Sequence, residues 1–177
     1  MKRFALCAAL AASPLLAFAQ SANTITFQGE VSDQTCAVTV NGNASSPVVL
    51  LPTVANAAFA TSGATAGLTS FTVGLSNCTV NAAAARNVDV KFVGGNLTST
   101  GNLRNTGTAT NVSLQLLDPA TPAAPFNLSG GFAAPGLVIA SGADAATHDF
   151  AVRYYAEATP VSPGTVIGAV QYAVAYR

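Results

Sequence analysis

The sequence is poor in the side chains that carry out catalysis or hold metal ions. It contains one histidine, His148, no tryptophan, and charged residues at only 8% of its 177 positions. Zinc and copper sites need several histidine or cysteine ligands, so we expect no metal centre and no other cofactor. The sequence also lacks the G-x-S-x-G, G-x-x-x-x-G-K and H-E-x-x-H motifs. We therefore predict that the protein is not an enzyme.

The single histidine lies in a segment where it alternates with Phe150 and Val152. Such a position is typical of a hydrogen-bonded residue in the core or at its rim, and we favour this interpretation over a ligand. Asp144 and Asp149 are close to His148 in sequence, but no nucleophile is placed beside them. The carboxylates are scattered, which disfavours a glycosidase, because that chemistry needs two carboxylates a fixed distance apart.

The low charge also limits the partners. Without the first 19 residues, five basic side chains stand against seven acidic ones, and the formal net charge is −2. A slightly acidic protein is not attracted to nucleic acid or to an acidic membrane surface, so we predict neither as a partner. A surface with so few charges is weakly protected against self-association.

The N-terminal segment has the features of a secretion signal. Two basic residues precede an apolar run, residues 4–18, and the small-residue motif Ala17-Phe18-Ala19 closes it. The run falls short of the roughly 20 apolar residues that a membrane span needs. We therefore predict that residues 1–19 are a cleaved signal peptide and that the protein is exported. Residues 20–177 suffice for one domain with a hydrophobic core.

Two of the three cysteines remain after cleavage. Cys7 lies in the predicted signal peptide, which leaves Cys36 and Cys78 as an even pair in an exported chain. This favours a disulfide, with two free buried thiols as the alternative. Closing a loop of that length is worth about 4 kcal/mol in the chain-entropy model.

Apolar residues recur at every second position in several segments, and this period predicts β-strands. Clusters of glycine, asparagine, serine and proline separate the segments, a pattern typical of an all-β sandwich with about seven strands. Four other stretches, residues 54–67, 81–85, 118–125 and 130–142, are predicted to be connections, the last two with at most short strands. The predicted strands are residues 25–31, 48–51, 71–75, 88–92, 112–116, 150–156 and 166–176.

The order of these segments resembles that of pilus subunits of the chaperone–usher pathway, the type 1 fimbrial family. The resemblance covers essentially all of residues 20–177. Each pattern is weak alone, but their joint order and spacing are fairly specific. The segments that carry it are ITFQGEVSDQTC at 25–36, VVLLPTV at 48–54, FTVGLSNC at 71–78, NVSLQLLD at 111–118, FAVRYYA at 150–156 and the C-terminal strand.

The resemblance implies an incomplete immunoglobulin-like sandwich that lacks its last strand. A disulfide pins the first strand to a neighbour in that family, and Cys36 and Cys78 match this pair. The family's last strand has a glycine fourteen places from the end and a penultimate tyrosine, which Gly164 and Tyr176 match. This strand would form one wall of an open groove, filled first by a strand of a periplasmic chaperone and later by the N-terminal extension of the next subunit. The implied wall residues are Gly164, Val166, Gly168, Val170, Tyr172, Val174 and Tyr176.

The implied donor strand is the N-terminal extension, residues 20–27, which precedes a pilin domain at residues 28–177. Asn23, Ile25 and Phe27 share one face of it. Related subunits usually carry a longer extension with a glycine where Asn23 stands, so incomplete filling or a shifted register is one possibility. Another is that Ile25 and Phe27 belong to the subunit's own first strand.

A subunit with both a donor segment and an acceptor groove polymerises head to tail into an open filament. The resemblance therefore implies a structural pilin, the major shaft component, on the bacterial cell surface. Its partners would be identical subunits, the periplasmic chaperone and an outer-membrane usher. The alternatives are a minor adaptor or terminator pilin and an autonomous secreted β-sandwich that binds a ligand without polymerising.

Overall fold

The computed structural model describes residues 36–177, in which eight β-strands form two antiparallel sheets. The only helical element in this span is a 3₁₀ turn at Asn56–Ala58, and none of its segments is a helix long and apolar enough to cross a membrane. The all-β prediction is confirmed. The strands are β1 (Ala37–Val40), β2 (Thr65–Ser76), β3 (Arg86–Val93), β4 (Leu103–Arg104), β5 (Val112–Leu117), β6 (Phe132–Ile139), β7 (Ala146–Ala156) and β8 (Gln171–Tyr176).

The larger sheet has the strand order β1-β2-β7-β5-β4. β2 and β7 form its long central pair, and a bulge between Ala66 and Thr69 interrupts their register. Gly67 lies in this bulge with φ +65°. A Cβ at Gly67 would lie 2.8 Å from Cδ2 of Tyr154, so both the backbone conformation and the close packing require glycine there.

A disulfide between Cys36 and Cys78 anchors the edge of the larger sheet, with the two Cα atoms 4.3 Å apart. β1 pairs with β2 from Ala37 opposite Ser76 to Val40 opposite Val73. The disulfide therefore pins the first described strand to its neighbour and confirms the predicted pairing.

The smaller sheet has the order β6-β3-β8, with β3 in the centre. Val88, Val90 and Phe92 of β3 are buried, and they face the apolar side of the larger sheet. Aromatic rings join the two sheets at this point. The ring of Phe150, on β7, lies 5.3 Å from that of Phe92 and 6.1 Å from that of Phe71 on β2. The hydrophobic core thus lies between the sheets.

Several predicted strands match observed ones, and four predictions about strands are wrong. The connection predicted at residues 54–67 includes the first residues of β2 (Thr65–Ser76). Residues 130–142 contain the eight-residue strand β6 instead of connections with short strands. Residues 48–51 pair with no strand of the described residues. The regular C-terminal strand begins at Gln171 instead of Val166. The predicted strand at residues 25–31 lies outside the described residues, as do the predicted signal peptide and the donor residues Asn23, Ile25 and Phe27.

Candidate functional site

The C-terminal segment keeps one apolar face well beyond the limits of β8. Side chains at the even-numbered positions from Val166 to Tyr176 are partly buried, whereas the odd-numbered positions from Ile167 to Ala173 are exposed. The apolar even-numbered residues pack against the hydrophobic core. The alternation that the sequence predicts is therefore present, although only residues 171–176 form a regular ladder.

β8 has a strand partner on one side only within the described residues. It pairs with β3, and the N–H of Arg177 donates to the carbonyl of Asn87. Hydrogen-bonded pairs alternate along an antiparallel ladder, so the N–H and C=O groups of Tyr172 and Val174 point away from β3. No strand of residues 36–177 pairs with that edge. An edge of this kind can template a further strand.

The preceding segment has a different partner, the turn at residues 105–110. The carbonyl of Thr165 accepts a hydrogen bond from the N–H of Ala109, and that of Ile167 accepts one from the N–H of Thr106. Successive residues of an extended chain direct these groups to opposite sides. Val166 and Gly168 therefore direct their N–H and C=O groups toward the same open side as Tyr172 and Val174.

Gly164 lies where the segment crosses the 105–110 turn. A Cβ at Gly164 would lie 2.4 Å from the backbone nitrogen of Ala109. A real Cβ does not come so close to a heavy atom to which it is not bonded, so this crossing requires glycine. The resemblance points to Gly164 by its position alone, and the structure supplies a physical reason for it.

Two segments face each other across the open edge. Residues 47–54 are called the first wall. Residues 161–174, which carry the open edge, are called the second wall. Val49 and Leu51 pack against the core, whereas Val48 and Leu50 are 72% and 84% exposed. The first wall is thus an extended segment with one buried face and no strand partner in the described part of the chain. The space between the two walls is an apolar groove.

The groove contains two depressions. We call the one beside Gly168, Val170 and Tyr172 the lower depression and the one beside Gly164 and Val166 the upper depression. The lower one has a volume of about 230 Å³, and its floor comes from both sheets. The upper one has a volume of about 660 Å³ and includes the small buried cluster around Phe59 and Val161. Residues of the lower depression include Val49, Leu51, Phe71, Leu103, Leu114, Gly168, Val170 and Tyr172; those of the upper one include Val54, Phe59, Val112, Val161, Gly164 and Val166.

Tyr154 connects the larger sheet to the first wall. Its hydroxyl donates to the carbonyl of Pro52 over 3.2 Å, and its ring meets that of Phe59 edge to face. Burial raises the pKa of the Tyr154 hydroxyl, because the charged phenolate is poorly solvated there. The neutral form therefore holds the first wall in place.

A polar network on the outer face of the larger sheet is centred on Glu157. Burial by itself raises the pKa of the Glu157 carboxyl, but hydrogen bonds from Ser113, Asn102 and Thr100 outweigh it, and the pKa is lowered. The shortest, from the hydroxyl of Ser113, measures 2.6 Å. The network ties the loop before β4 to the end of β7, just before the chain enters the second wall.

His148 is a rim residue, as predicted. Its Nε2 atom lies 3.2 Å from Oδ2 of Asp118, and its ring lies against that of Phe150 at 4.8 Å. No group of three or more His, Cys, Asp or Glu residues in residues 36–177 could hold a metal ion.

The structure brings most of the predicted wall residues together. Gly164 and Val166 line the upper depression, and Gly168, Val170 and Tyr172 line the lower one. Val174 and Tyr176 continue the same face and pack against the core. Sequence reasoning missed the first wall as part of the groove, along with Phe59 and the 105–110 turn. The apolar run at residues 48–51 was a usable signal for the first wall; the turn has none.

Comparisons with known proteins agree with this geometry. The sequence model described as "Fimbrial protein" matches residues 25–177. The chain is 37% identical over 176 residues to "Major fimbrial subunit SMF-1" of Stenotrophomonas maltophilia (strain K279a). The alignment covers 95% of this chain and 99% of that protein. It is 38% identical over 159 residues to the "F17 fimbrial protein" of Escherichia coli, at 86% coverage of each.

The fold has a counterpart among solved structures. The crystal structure of the P pilus rod subunit PapA superimposes with a TM-score of 0.57 over 80% of this chain and 99% of that one. The sequences are 10% identical, so this likeness concerns the fold alone. It identifies the two sheets as an immunoglobulin-like sandwich.

Proposed function

The chain belongs to the fimbrial protein family, whose members are structural subunits and not enzymes, and on that premise we propose that it forms the shaft of a chaperone–usher fimbria. In this proposal each copy donates residues 20–27 to the groove of the copy that was added before it. Head-to-tail donation does not close on itself, so the product is an open filament.

The observation that carries the proposal is the open edge of the second wall. From Val166 to Val174 the even-numbered residues direct apolar side chains toward the core and backbone groups toward the groove. An added strand would satisfy those groups and cover the apolar floor, which is the mode of recognition called β-augmentation. Asn23, Ile25 and Phe27 are the donor side chains that would face inward.

The energetics favour a donated strand over an exposed groove. Burying one large apolar side chain is worth about 1.5 to 3 kcal/mol, and each net hydrogen bond contributes about 1 kcal/mol. Two buried apolar donor side chains and about four backbone bonds would together contribute about 7 to 10 kcal/mol, before the costs of association and of ordering the donor. An empty groove lacks this contribution, which favours the occupied groove.

The same groove determines the order in which we propose that the partners bind. Before assembly it would bind a strand of a periplasmic chaperone, because an apolar groove left open invites aggregation. An outer-membrane usher would then receive the subunit, and the next copy would replace the chaperone strand. The low charge of the surface is compatible with dense packing of identical copies.

The shaft role draws support from the relative that is named a major fimbrial subunit and that aligns over nearly its whole length. A minor subunit with the same groove is the alternative within the family. The two differ in copy number, which immunogold labelling of filaments would measure. We expect label along the whole filament, whereas label at an end only would favour the minor role.

The experiment that tests strand donation removes the donor in cells that carry the matching chaperone and usher. Deletion of residues 20–23 and, separately, Ile25→Asp are expected to abolish surface filaments while the subunit still reaches the periplasm. Thr24→Ala is the matched control, since in an extended donor Thr24 would lie on the face opposite to Asn23, Ile25 and Phe27, and this variant should leave filaments intact. Normal filaments with both donor variants would refute the proposal. A stable periplasmic monomer that forms no filaments even with the wild-type sequence would favour the autonomous binding module.

A further inference from the structure

The 105–110 turn supports the second wall in an unusual way. The wall presents four backbone groups to this turn, the N–H and C=O of Thr165 and of Ile167. Backbone N–H groups of the turn satisfy both carbonyls, but no backbone carbonyl of the turn receives either N–H. Side chains receive them instead. The N–H of Thr165 donates to Oγ1 of Thr108 over 2.9 Å, and that of Ile167 donates to Oδ1 of Asn105 over 2.8 Å.

Both side chains are themselves held in place. The Nδ2 of Asn105 donates to the carbonyl of Ala109 over 2.7 Å, and its Oδ1 also accepts from the N–H of Gly107 over 2.7 Å. The N–H of Thr108 donates to Oγ1 of Thr165 over 3.0 Å, so these two threonines bond each other reciprocally. The two oxygens therefore lie at fixed positions and stand in for the carbonyls of a neighbouring strand.

We propose that Asn105 and Thr108 are positioning residues for strand acceptance. By binding one edge of Thr165–Ile167, they keep the upper part of the second wall extended, with its other edge directed into the groove. This inference rests on the proposed function, because it concerns how the groove is kept ready before a donor arrives.

The two parts of the second wall are held in different ways. Residues 171–176 are held by the β3 ladder whether or not the groove is filled. Residues 165–168 have no such ladder. Besides two backbone bonds and the packing of Val166 on the core, the hydrogen bonds that join them to the turn all involve side chains. Once a donor is in place it bonds the wall from the other side, so the turn matters less. Loss of the two side chains should therefore slow assembly more than it weakens the finished polymer.

The test uses residues 20–177 with the disulfide intact, diluted from denaturant at high protein concentration. Assembly is followed as oligomers that resist SDS at room temperature, and amide hydrogen exchange is measured in the monomer. Thr108→Val keeps the shape of the side chain but removes the acceptor, and Thr108→Ser restores it. Asn105→Ala removes the other acceptor. Asn81→Ala is the matched control, because Asn81 also accepts from loop N–H groups but lies away from both depressions.

We expect Thr108→Val to speed exchange of the Thr165 amide about fivefold, as the loss of one hydrogen bond implies. Its assembly rate should fall by a similar factor while the final amount of polymer stays unchanged. Asn105→Ala should do the same at Ile167, and Thr108→Ser and Asn81→Ala should behave like the wild type.

Two results would overturn the inference while leaving strand donation intact. One is a wild-type assembly rate in Thr108→Val and Asn105→Ala despite faster exchange; the other is slow assembly in Thr108→Ser, which would indicate a steric role. If the wild-type protein forms no oligomers that resist SDS, the proposed function fails and the inference fails with it.

Discussion

Removal of the disulfide should destabilise the subunit by an amount that follows from the position of the two cysteines. Cys36 and Cys78 are separated by 42 positions, and a cross-link across that span lowers the entropy of the unfolded chain. The chain-entropy model converts this into about 4 kcal/mol at 25 °C. Native domains have only about 5 to 15 kcal/mol of stability in total, so the loss is a large share of what is present.

The double variant Cys36→Ala and Cys78→Ala isolates this effect. With a urea m-value of about 2 kcal/mol/M, typical of a domain of this size, the unfolding midpoint of the monomer should fall by about 2 M. Far-ultraviolet circular dichroism of oxidised wild type and of the variant, under the same conditions, measures the shift. Both proteins are measured as monomers without a donated strand, so strand binding does not contribute to the difference.

The same substitution also tests the arrangement of the first wall. β1 leads through the turn at residues 41–46 into this wall, so the disulfide fixes the start of the wall relative to β2. We expect fewer surface filaments as well as lower stability. A midpoint shift below about 0.5 M, with the m-value unchanged, would refute the reasoning, because the unfolded chain would then gain little freedom when the bond is absent.

The remaining predictions concern two ionisable groups of the larger sheet, Tyr154 within β7 and Glu157 just after it. The pKa of Glu157 is lowered in the folded state. Its contribution to the free energy of unfolding is therefore present above the ordinary pKa of about 4.3 and is lost as pH falls through the folded pKa. Glu157→Gln should flatten the acid limb of a stability–pH profile, and an unchanged limb would contradict this. The pKa of Tyr154 is raised, so its contribution is present below about pH 10 and is lost as pH rises through the folded pKa. Tyr154→Phe should lower the free energy of unfolding by about 1 kcal/mol at neutral pH, because the hydrogen bond to Pro52 is lost. The variant should also no longer lose stability at alkaline pH, and urea titrations at pH 7 and above pH 10 would measure both effects. If the variant lost as much stability at alkaline pH as the wild type, another group would be responsible.

Alternation in the sequence predicts which face of a segment is buried, and it does so well here. It is less informative about hydrogen-bond partners. Residues 48–51 are different: they form a continuous apolar run, which predicts a strand but not which face is buried, and Val49 and Leu51 are the residues turned inward. No neighbouring strand of the described residues bonds this segment, because it borders the groove. The prediction of a strand there was therefore wrong about the ladder.

β6 is the opposite case, because it forms a ladder although its sequence lacks the alternation that predicts a strand. Its register against β3 shifts between Val88 and Val90, so Ala134 and Leu137 face the core although they are three positions apart. Pro135 and Gly136 occupy the interval. A bulge of this kind breaks the period of two on which strand prediction depends. The eight-residue strand therefore looks like a glycine-rich connection in the sequence.

The groove was predictable in part. The C-terminal wall follows from alternation, and the roles of Gly164 and Tyr176 follow from the family resemblance. The 105–110 turn could not be found in this way, since its side chains bond backbone groups about 60 positions later in the chain. Contacts between side chains and a distant backbone have no periodic signal in the sequence.

The central claim, that one copy completes the sandwich of another, can be tested most directly by a cross-link. Ile25→Cys is combined in turn with Val166→Cys, Val170→Cys or Tyr172→Cys, because directly opposed Cβ atoms of paired strands lie about 4.5 to 5.5 Å apart. Ile167→Cys, on the outward face, is the control. Strand donation predicts a ladder of disulfide-linked oligomers on a non-reducing gel for at least one inward pair and none for the control. If every inward pair gave only internally linked monomers or no link at all, the donor would not enter a neighbour's groove and the account would be wrong.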